Sequence, residues 1–190
     1  MLDQEARRAR PRPMRPIESA LVILVPEVEA LAKSFRDKYD PLSTSGVPAH
    51  ITLIYPFRSP QAIGAPEMES LRQCFASFRP WRFSLTAIRR FSGAVLYLAP
   101  EPEEPFRELT LAIWRRYPET PPYGGRFPQI TPHLTLTQLD DEERLDQIAQ
   151  AFTQEAQADL PIHAMAREVA LMDNSSGQWQ PRLKLPLGAG

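Results

Sequence analysis

The sequence predicts a bilobal protein of mixed strands and helices, with a groove between the lobes and helices on the outer faces. The order strand, helix, strand, helix, strand occurs twice along the chain. In addition, the segment from Gly93 to Pro100 repeats the pattern of Ser19 to Pro26 at an offset of 74 residues. Hydrophobic residues make up 43% of the 190 residues and charged residues 24%, a composition typical of a globular protein with a core.

The first unit covers about residues 19–91 and shows the signals of alternating strands and helices. Branched apolar runs and strict alternation indicate strands, and apolar residues three and four apart indicate helices. The predicted elements are a strand over Ala20 to Val25, a helix from Pro26 to about Tyr39, a strand from near His50, a helix over about Pro66 to Phe78 and a strand from Trp81.

The second unit covers about residues 93–172 and carries the same signals. Its loop before the second histidine strand, Pro118 to Pro132, makes this unit nine residues longer, and we expect specificity residues there. The predicted elements are a strand over Gly93 to Pro100, a helix with Phe106, Leu109 and Ile113 on one face, a strand from near His133, a helix capped by Asp140 with Glu143, and final strands over about His163 to Met172 and Gln178 to Leu187.

Residues 1–17 are rich in arginine and proline and predict a flexible basic arm, or a weak anchor for nucleic acid. Residues 18–187 then form a single bilobal domain. The formal net charge of −1 excludes whole-molecule attraction to nucleic acid as a driving force. The lone Cys74 excludes an internal disulfide, and the longest strongly apolar run is far too short for a membrane span. We therefore expect a cytoplasmic monomer without membrane contact.

Two of the three histidines occupy equivalent places in the two units. The first begins His50-Ile51-Thr52-Leu53, and the second begins His133-Leu134-Thr135-Leu136. Side chains alternate along a strand, so each strand would bury its aliphatic pair and present an imidazole beside a hydroxyl on the other face.

If the lobes face each other, His50, His133, Thr52 and Thr135 converge. This set suits attack on a phosphodiester, because a neutral imidazole accepts a proton from the nucleophile and a protonated one supplies a proton to the leaving oxygen. The threonine hydroxyls can bond the non-bridging oxygens. With ordinary histidine pKa values, activity would peak around neutrality. No metal ion or other cofactor is implied.

Other interpretations of these residues remain open. A single H-x-T segment on a strand is weak evidence and is usually structural, but two equivalent copies favour a shared site. A histidine metal site would need His163 to join from another strand, since neither copy has further ligands at a suitable spacing. Otherwise His163 has a structural or surface role.

The paired H-x-T-hydrophobic segments resemble those of the two-histidine (2H) phosphoesterase superfamily, and in particular the bacterial 2′-5′ RNA ligase and cyclic phosphodiesterase group. The resemblance extends over about Glu18 to Leu187. It implies an α+β fold with an active-site groove between two antiparallel sheets. It also implies metal-independent action on 2′,3′-cyclic phosphate or 2′-5′ linked substrates, with His50 and His133 as the acid–base pair and Thr52 and Thr135 as phosphate-binding hydroxyls.

The chain departs from that group at Thr137-Gln138, where close members often have alanine-arginine. A phosphate-binding guanidinium therefore has to come from elsewhere, and Arg126 follows two glycines in the long loop. Tyr55 could stack on a base or bond phosphate, although strict alternation gives it the same face as the buried Ile51. Phe57 and Tyr123 are the further candidates for base stacking.

The sequence therefore predicts a metal-independent phosphoesterase. Its expected partners are RNA ends or small nucleotides that carry a cyclic phosphate. Two alternatives remain: reversible 2′-5′ ligation of RNA, and a nucleotide- or RNA-binding module without useful turnover. A zinc enzyme is the most distant alternative.

Overall fold

The computed structural model of the protein describes residues 16–39, 43–91 and 95–188, so the predicted arm lies outside the described residues except for Pro16 and Ile17. The strands are β1 (Ser19–Leu24), β2 (His50–Ile54), β3 (Trp81–Phe91), β4 (Val95–Glu101), β5 (Leu134–Gln138), β6 (Ile162–Ala166), β7 (Glu168–Asp173) and β8 (Gln180–Pro186). The α-helices are α1 (Glu29–Tyr39), α2 (Ala65–Ala76), α3 (Glu104–Arg116) and α4 (Glu142–Ala156).

The described strands form an antiparallel sheet in the order β6-β3-β4-β5-β2-β1-β7-β8, which confirms the α+β class. The two expected sheets are continuous with each other. The first half-sheet is β2-β1-β7-β8 and the second half-sheet is β6-β3-β4-β5. Within the described part of the chain they meet at one residue pair, Ile51 of β2 with Leu134 of β5.

The two repeat units exchange strands between these halves. The last strand of the first unit, β3, pairs with β4 in the second half-sheet, whereas β7 pairs with β1 in the first. The predicted strand from His163 to Met172 is therefore wrong as one element. It breaks at Arg167, because β6 pairs with β3 and β7 belongs to the other half of the sheet.

The main hydrophobic core lies between one face of the sheet and the helices. Packing across this helix-covered face is crosswise, since α1 contacts β5 while α3 contacts β2. Three phenylalanines, Phe75, Phe106 and Phe152, are fully buried here on α2, α3 and α4. We call the opposite side of the sheet the open face. No helix within the described ranges is long and apolar enough to cross a bilayer.

Helix α4 begins after Asp141, whose carboxylate accepts a hydrogen bond from the backbone N–H of Arg144 at 3.0 Å. The sequence predicted Asp140, paired with Glu143, as the N-cap of this helix; the observed N-cap is the next residue, Asp141. Aspartate is a good N-cap residue at either position, so the sequence alone does not distinguish Asp140 from Asp141. The backbone decides, because Asp141 has the extended conformation that an N-cap needs.

Replacing this cap tests the start of α4. Asp141→Ala removes the acceptor for the N–H of Arg144 and should lower the free energy of unfolding by about 1 kcal/mol. Urea denaturation followed by circular dichroism measures the change. The matched control Asp140→Ala removes the neighbouring carboxylate and should change stability by less than about 0.5 kcal/mol. An equal or larger loss in the control would contradict the assignment.

Candidate active site

The two histidine motifs lie on β2 and at the start of β5, the strands that join the half-sheets. The aliphatic residues of both motifs are buried in the main core, and the histidines and threonines between them are partly exposed. Both motifs therefore alternate as expected from the sequence. The buried set is Ile51, Leu53, Leu134 and Leu136, and the set on the open face is His50, Thr52, His133 and Thr135.

The pairing of β2 with β5 brings the four open-face residues together. Continuing the register of Ile51 with Leu134 by one residue each way puts His50 opposite Thr135 and Thr52 opposite His133. Directly opposite residues of an antiparallel pair have Cβ atoms about 4.5–5.5 Å apart. The two imidazoles are also close enough for the charge of His133 to lower the pKa of His50.

Each imidazole is held by a hydrogen bond to the backbone carbonyl two residues before it. Nδ1 of His50 lies 2.7 Å from the carbonyl oxygen of Pro48, and Nδ1 of His133 lies 2.7 Å from that of Thr131. A carbonyl only accepts, so Nδ1 carries the hydrogen and donates in both cases. Each neutral ring therefore keeps its lone pair on Nε2. The two rings can exchange protons with a bound molecule through that atom.

Burial sets the charge state of the two rings. The pKa of His50 is lowered to about 4, mainly by burial; the Pro48 carbonyl opposes this shift, and the charges of Arg36 and His133 contribute to it. Burial also lowers the pKa of His133 against the effect of the Thr131 carbonyl. Both imidazoles are therefore neutral at neutral pH when no anion is bound.

Arg36 is a buried cation near His50 that the sequence analysis missed. It lies on α1, where its guanidinium donates to the carbonyl of Val47 at 2.7 Å and lies 3.9 Å from a carboxylate oxygen of Glu29. Arg36 and His50 belong to different elements, and the hydrophobic periodicity of a sequence does not show which charged residue of a helix lies close to a given strand residue. Its effect on His50 is nevertheless direct, because a nearby positive charge disfavours protonation.

A β-bulge follows the threonine in each motif strand. Val22 pairs with Thr52 and Leu21 with Ile54, so Leu53 is the extra residue of β2. Correspondingly, Tyr97 pairs with Thr135 and Leu96 with Thr137, so Leu136 is the extra residue of β5. A bulge reverses the alternation of the residues that follow it.

The bulge at Leu53 corrects the expectation that Tyr55 shares the face of Ile51. Tyr55 packs instead against a small apolar cluster on the open face, which includes Val22 and Trp179. Its hydroxyl donates to a Glu18 carboxylate oxygen at 2.8 Å, and its ring meets Trp179 edge-on at 6.0 Å. Tyr55 is thus on the same face as the two imidazoles.

Arg126 lies near Tyr55 at this face. Burial and Glu18 raise the pKa of Tyr55 to about 12, and the charge of Arg126 acts against this rise. Arg126 is exposed, and no carboxylate of the described residues forms an ion pair with it. Its guanidinium is therefore available to an anion.

Tyr123 covers the site from the long loop before β5. Its ring is stacked on His133, with the centroids 6.0 Å apart, and its hydroxyl is close enough to the Thr52 side chain for Thr52 to oppose the rise of its pKa. Burial raises its pKa to about 12. The backbone of Tyr123 has a φ of 53°, a left-handed conformation that costs about 1–2 kcal/mol for a residue with a side chain. Such strain is typical of functional positions.

Two further aromatic residues contact His133 and were not found from the sequence. Phe91 of β3 meets the imidazole edge-on at 4.9 Å, and Tyr97 of β4 does so at 5.5 Å. They stack on each other at 4.2 Å. For Tyr97 the sequence did hold a signal, because a tyrosine interrupts the otherwise apolar run at the start of β4. A polar aromatic residue at that position indicates the open face of the strand and not the core.

Two sequence candidates lie away from this cluster. Phe57 is only 6% exposed and packs in the main core, edge-on to Tyr117 at 5.2 Å, so the prediction that it stacks on a base is corrected. His163 is exposed on β6, where Nδ1 lies 2.8 Å from the hydroxyl of Ser84. Across the described ranges, no three or more His, Cys, Asp or Glu residues are grouped to hold a metal ion.

Comparison with known proteins gives a family and a fold. A sequence model of the 2′-5′ RNA ligase superfamily matches residues 24–178. The structure of TT0787 from Thermus thermophilus superposes with a TM-score of 0.58 at 17% identity, covering 90% of this chain and 98% of that one. E. coli LigT in complex with 3′-AMP superposes with a TM-score of 0.56 at 17% identity, covering 91% and 99%. A search of curated proteins found no match.

The imidazole contacts predict a specific tautomer and titration for each ring. In isotope-labelled protein at neutral pH, long-range proton–nitrogen correlation spectra should show His50 and His133 neutral with the hydrogen on Nδ1. On acidification His50 should stay neutral until the pH approaches about 4, and His133 should titrate below 6.5. An Nε2–H tautomer, or His50 titrating at 6.5 or above, would contradict this description of the site.

Proposed function

The chain belongs to the 2′-5′ RNA ligase superfamily, and from this membership we propose that it is a phosphoesterase that hydrolyses 2′,3′-cyclic phosphates of RNA ends or small nucleotides without a metal ion. The observation that carries the proposal is the pair of imidazoles, each fixed through Nδ1, beside two threonine hydroxyls at the β2–β5 junction. E. coli LigT shares the fold and was solved with 3′-AMP, which supports a nucleotide substrate.

In the proposed reaction, His50 is the general base. Its burial and the charge of Arg36 keep Nε2 unprotonated, so this atom accepts a proton from the attacking water. The water oxygen forms a bond to phosphorus. Nε2–H of His133 donates its proton to the ribose oxygen that leaves, and the P–O bond of the ring breaks. Ring closure follows the same path in reverse, with the two roles exchanged.

The negative charge that develops on the non-bridging phosphate oxygens has to be stabilised by hydrogen-bond donors. Thr52 and Thr135 are side by side with the imidazoles and supply hydroxyl groups for the non-bridging oxygens. Arg126 provides the guanidinium, since Gln138 occupies the position where related proteins often have arginine. Each ring already donates Nδ1–H to a carbonyl, so its Nε2 is left for proton transfer.

The proposal is tested first with the four nucleoside 2′,3′-cyclic phosphates. Incubation with each of them, followed by product separation, reports activity, base preference and product isomer. We expect a chelator to leave the rates unchanged. Activity that disappears with a chelator and returns with zinc would overturn the metal-independent mechanism. Joining of RNA halves without hydrolysis of any cyclic phosphate would support ligation instead.

Removing either imidazole should abolish most of the turnover. His50→Ala and His133→Ala should each lower kcat by about 10²- to 10⁴-fold, because each removes a positioned base or acid. Steady-state assays on the cyclic phosphate measure the loss, and circular dichroism confirms folding. The matched control His163→Ala deletes an exposed imidazole on β6 and should retain wild-type turnover.

The same variants separate the base from the acid. A nucleotide ester with a 4-nitrophenyl leaving group needs no protonation to depart, so it should rescue much of the activity of His133→Ala. It should not rescue His50→Ala, because attack still needs a base. Rescue of His50→Ala alone would reverse the assignment, and near wild-type turnover of either variant on every cyclic phosphate would remove both roles.

The pH dependence follows from the lowered pKa values. The productive form has His50 neutral and His133 protonated, so kcat/KM should fall at low pH as His50 gains a proton near pH 4 and at high pH as His133 loses its own below pH 6.5. We therefore expect a bell-shaped profile with its maximum on the acid side of pH 6.5, and not around neutrality as ordinary histidines predict. A kcat/KM that rises steadily with pH would contradict the two-histidine mechanism.

A further inference from the structure

A groove of about 640 Å³ lies beside the site, between the outer surface of α3 and the loop before β5. Its volume is in the range of small-molecule sites. Arginine and apolar residues spaced three and four apart on α3 form one wall, and the loop forms the other. The residues that matter for the argument are Arg107, Leu111 and Trp114 of α3, and Tyr123, Phe127 and Ile130 of the loop.

The aromatic side chains of this groove are unusually exposed. Phe127 is 63% exposed and Trp114 is 38% exposed, and Ile17 is the other exposed large hydrophobic residue of the described ranges. The Phe127 ring stands edge-on to Tyr123, with the centroids 5.8 Å apart. Exposed aromatic residues gathered along one groove indicate a binding surface.

The groove is continuous with the site through Tyr123. This residue lines the groove, while its ring is stacked on His133 and its hydroxyl lies near Thr52. A ligand held at the imidazoles and a ligand held in the groove would therefore be separated by one side chain. Tyr123 is thus the residue at which the imidazole site and the groove meet.

The charges around the groove favour an anionic chain. Arg107 lines the groove and no carboxylate of the described residues does, but Arg107 is itself paired with Glu103, just before α3, and with Glu104 at its start. Arg126 lies between Gly125 and Phe127 of the same loop, and no described carboxylate forms an ion pair with it. Exposed aromatic rings beside arginines are the combination that binds single-stranded nucleic acid, because bases stack on the rings and phosphates meet the cations.

From these features we infer that the groove binds nucleobases on the 5′ side of the terminal nucleoside of a single-stranded RNA that ends in a cyclic phosphate. The inference rests on the proposed function and narrows its substrate to an RNA end. Trp114 and Phe127 are the stacking residues, and Tyr123 lies between the stacked bases and the reacting phosphate.

The test compares a nucleoside 2′,3′-cyclic phosphate with a short RNA that ends in the same nucleoside and cyclic phosphate. The wild-type protein should have the higher kcat/KM on the RNA. Trp114→Ala and Phe127→Ala should each lower kcat/KM on the RNA by about 5- to 150-fold, the usual loss for one stacked base, and should change the mononucleotide rate by less than about twofold.

Matched variants separate stacking from general apolar contact. Phe127→Tyr keeps a flat ring and should retain the RNA preference, whereas Phe127→Leu keeps an apolar side chain without a ring and should lose it. Trp114 and Phe127 are both exposed in the wild type, so we expect every variant to fold, and thermal denaturation should confirm this. Equal loss on both substrates, or retention of the RNA preference in Phe127→Leu, would overturn the stacking role.

A direct binding measurement distinguishes failure of this inference from failure of the proposed function. Fluorescence anisotropy with a labelled RNA that ends in a 3′-phosphate should show weaker binding to Trp114→Ala than to the wild type, whether or not the protein turns over. If the protein hydrolyses both substrates with equal kcat/KM, and Trp114→Ala binds the RNA as tightly as the wild type, the inference about the groove is wrong while the proposed function stands. A wild-type dimer that Trp114→Ala converts to a monomer in sedimentation would assign the groove to a second copy of the chain instead.

Discussion

The arrangement of the site depends on the backbone pair between Ile51 and Leu134, which joins the two halves of the sheet. Both side chains are fully buried in the main core, so the register of β2 against β5 is fixed by burial of aliphatic surface. A slip of one residue would turn the imidazoles into the core and the leucines outward. Because the register is held, the imidazole of one strand stands beside the hydroxyl of the other on the open face. The hydrophobic core of the protein thus positions its polar residues.

The sequence predicted which motif residues are buried and which lie on the open face, because strand alternation has a period of two and both motifs obey it. The prediction failed at Tyr55, two residues beyond the extra residue Leu53. The extra residues, Leu53 and Leu136, are leucines that fit the core as well as regular strand residues do, so nothing in the sequence distinguishes them. Tyr55 consequently lies on the same face of the sheet as the imidazoles although alternation assigned it to the core. The break at Arg167 was hidden similarly, because apolar residues lie on both sides of it.

Contacts between distant segments could not be predicted from local pattern. Arg36 reaches the region of His50 from α1, and Phe91 reaches His133 from β3, a strand of the other repeat unit. Phe57 shows the reverse failure, since its closeness to the motif in sequence suggested a base-stacking role and its packing on Tyr117 gives it a core position. The long loop was predicted as the place for specificity, and in the structure it supplies Tyr123 and the groove wall. That role remains part of the proposal.

The electrostatics of the site distinguish the two histidines, to which the proposed mechanism gives different roles. Burial lowers the pKa of both rings, so neither is protonated at neutral pH before an anion binds. A bound phosphodiester brings a negative charge that raises the pKa of both imidazoles. Burial is the largest cause of the lowered pKa of both imidazoles, and at His50 the charge of Arg36 additionally opposes protonation. In the proposed mechanism, the proton taken up on binding therefore goes to His133. Under that proposal, substrate binding itself creates the acid beside the base, at the ring on which Tyr123 is stacked.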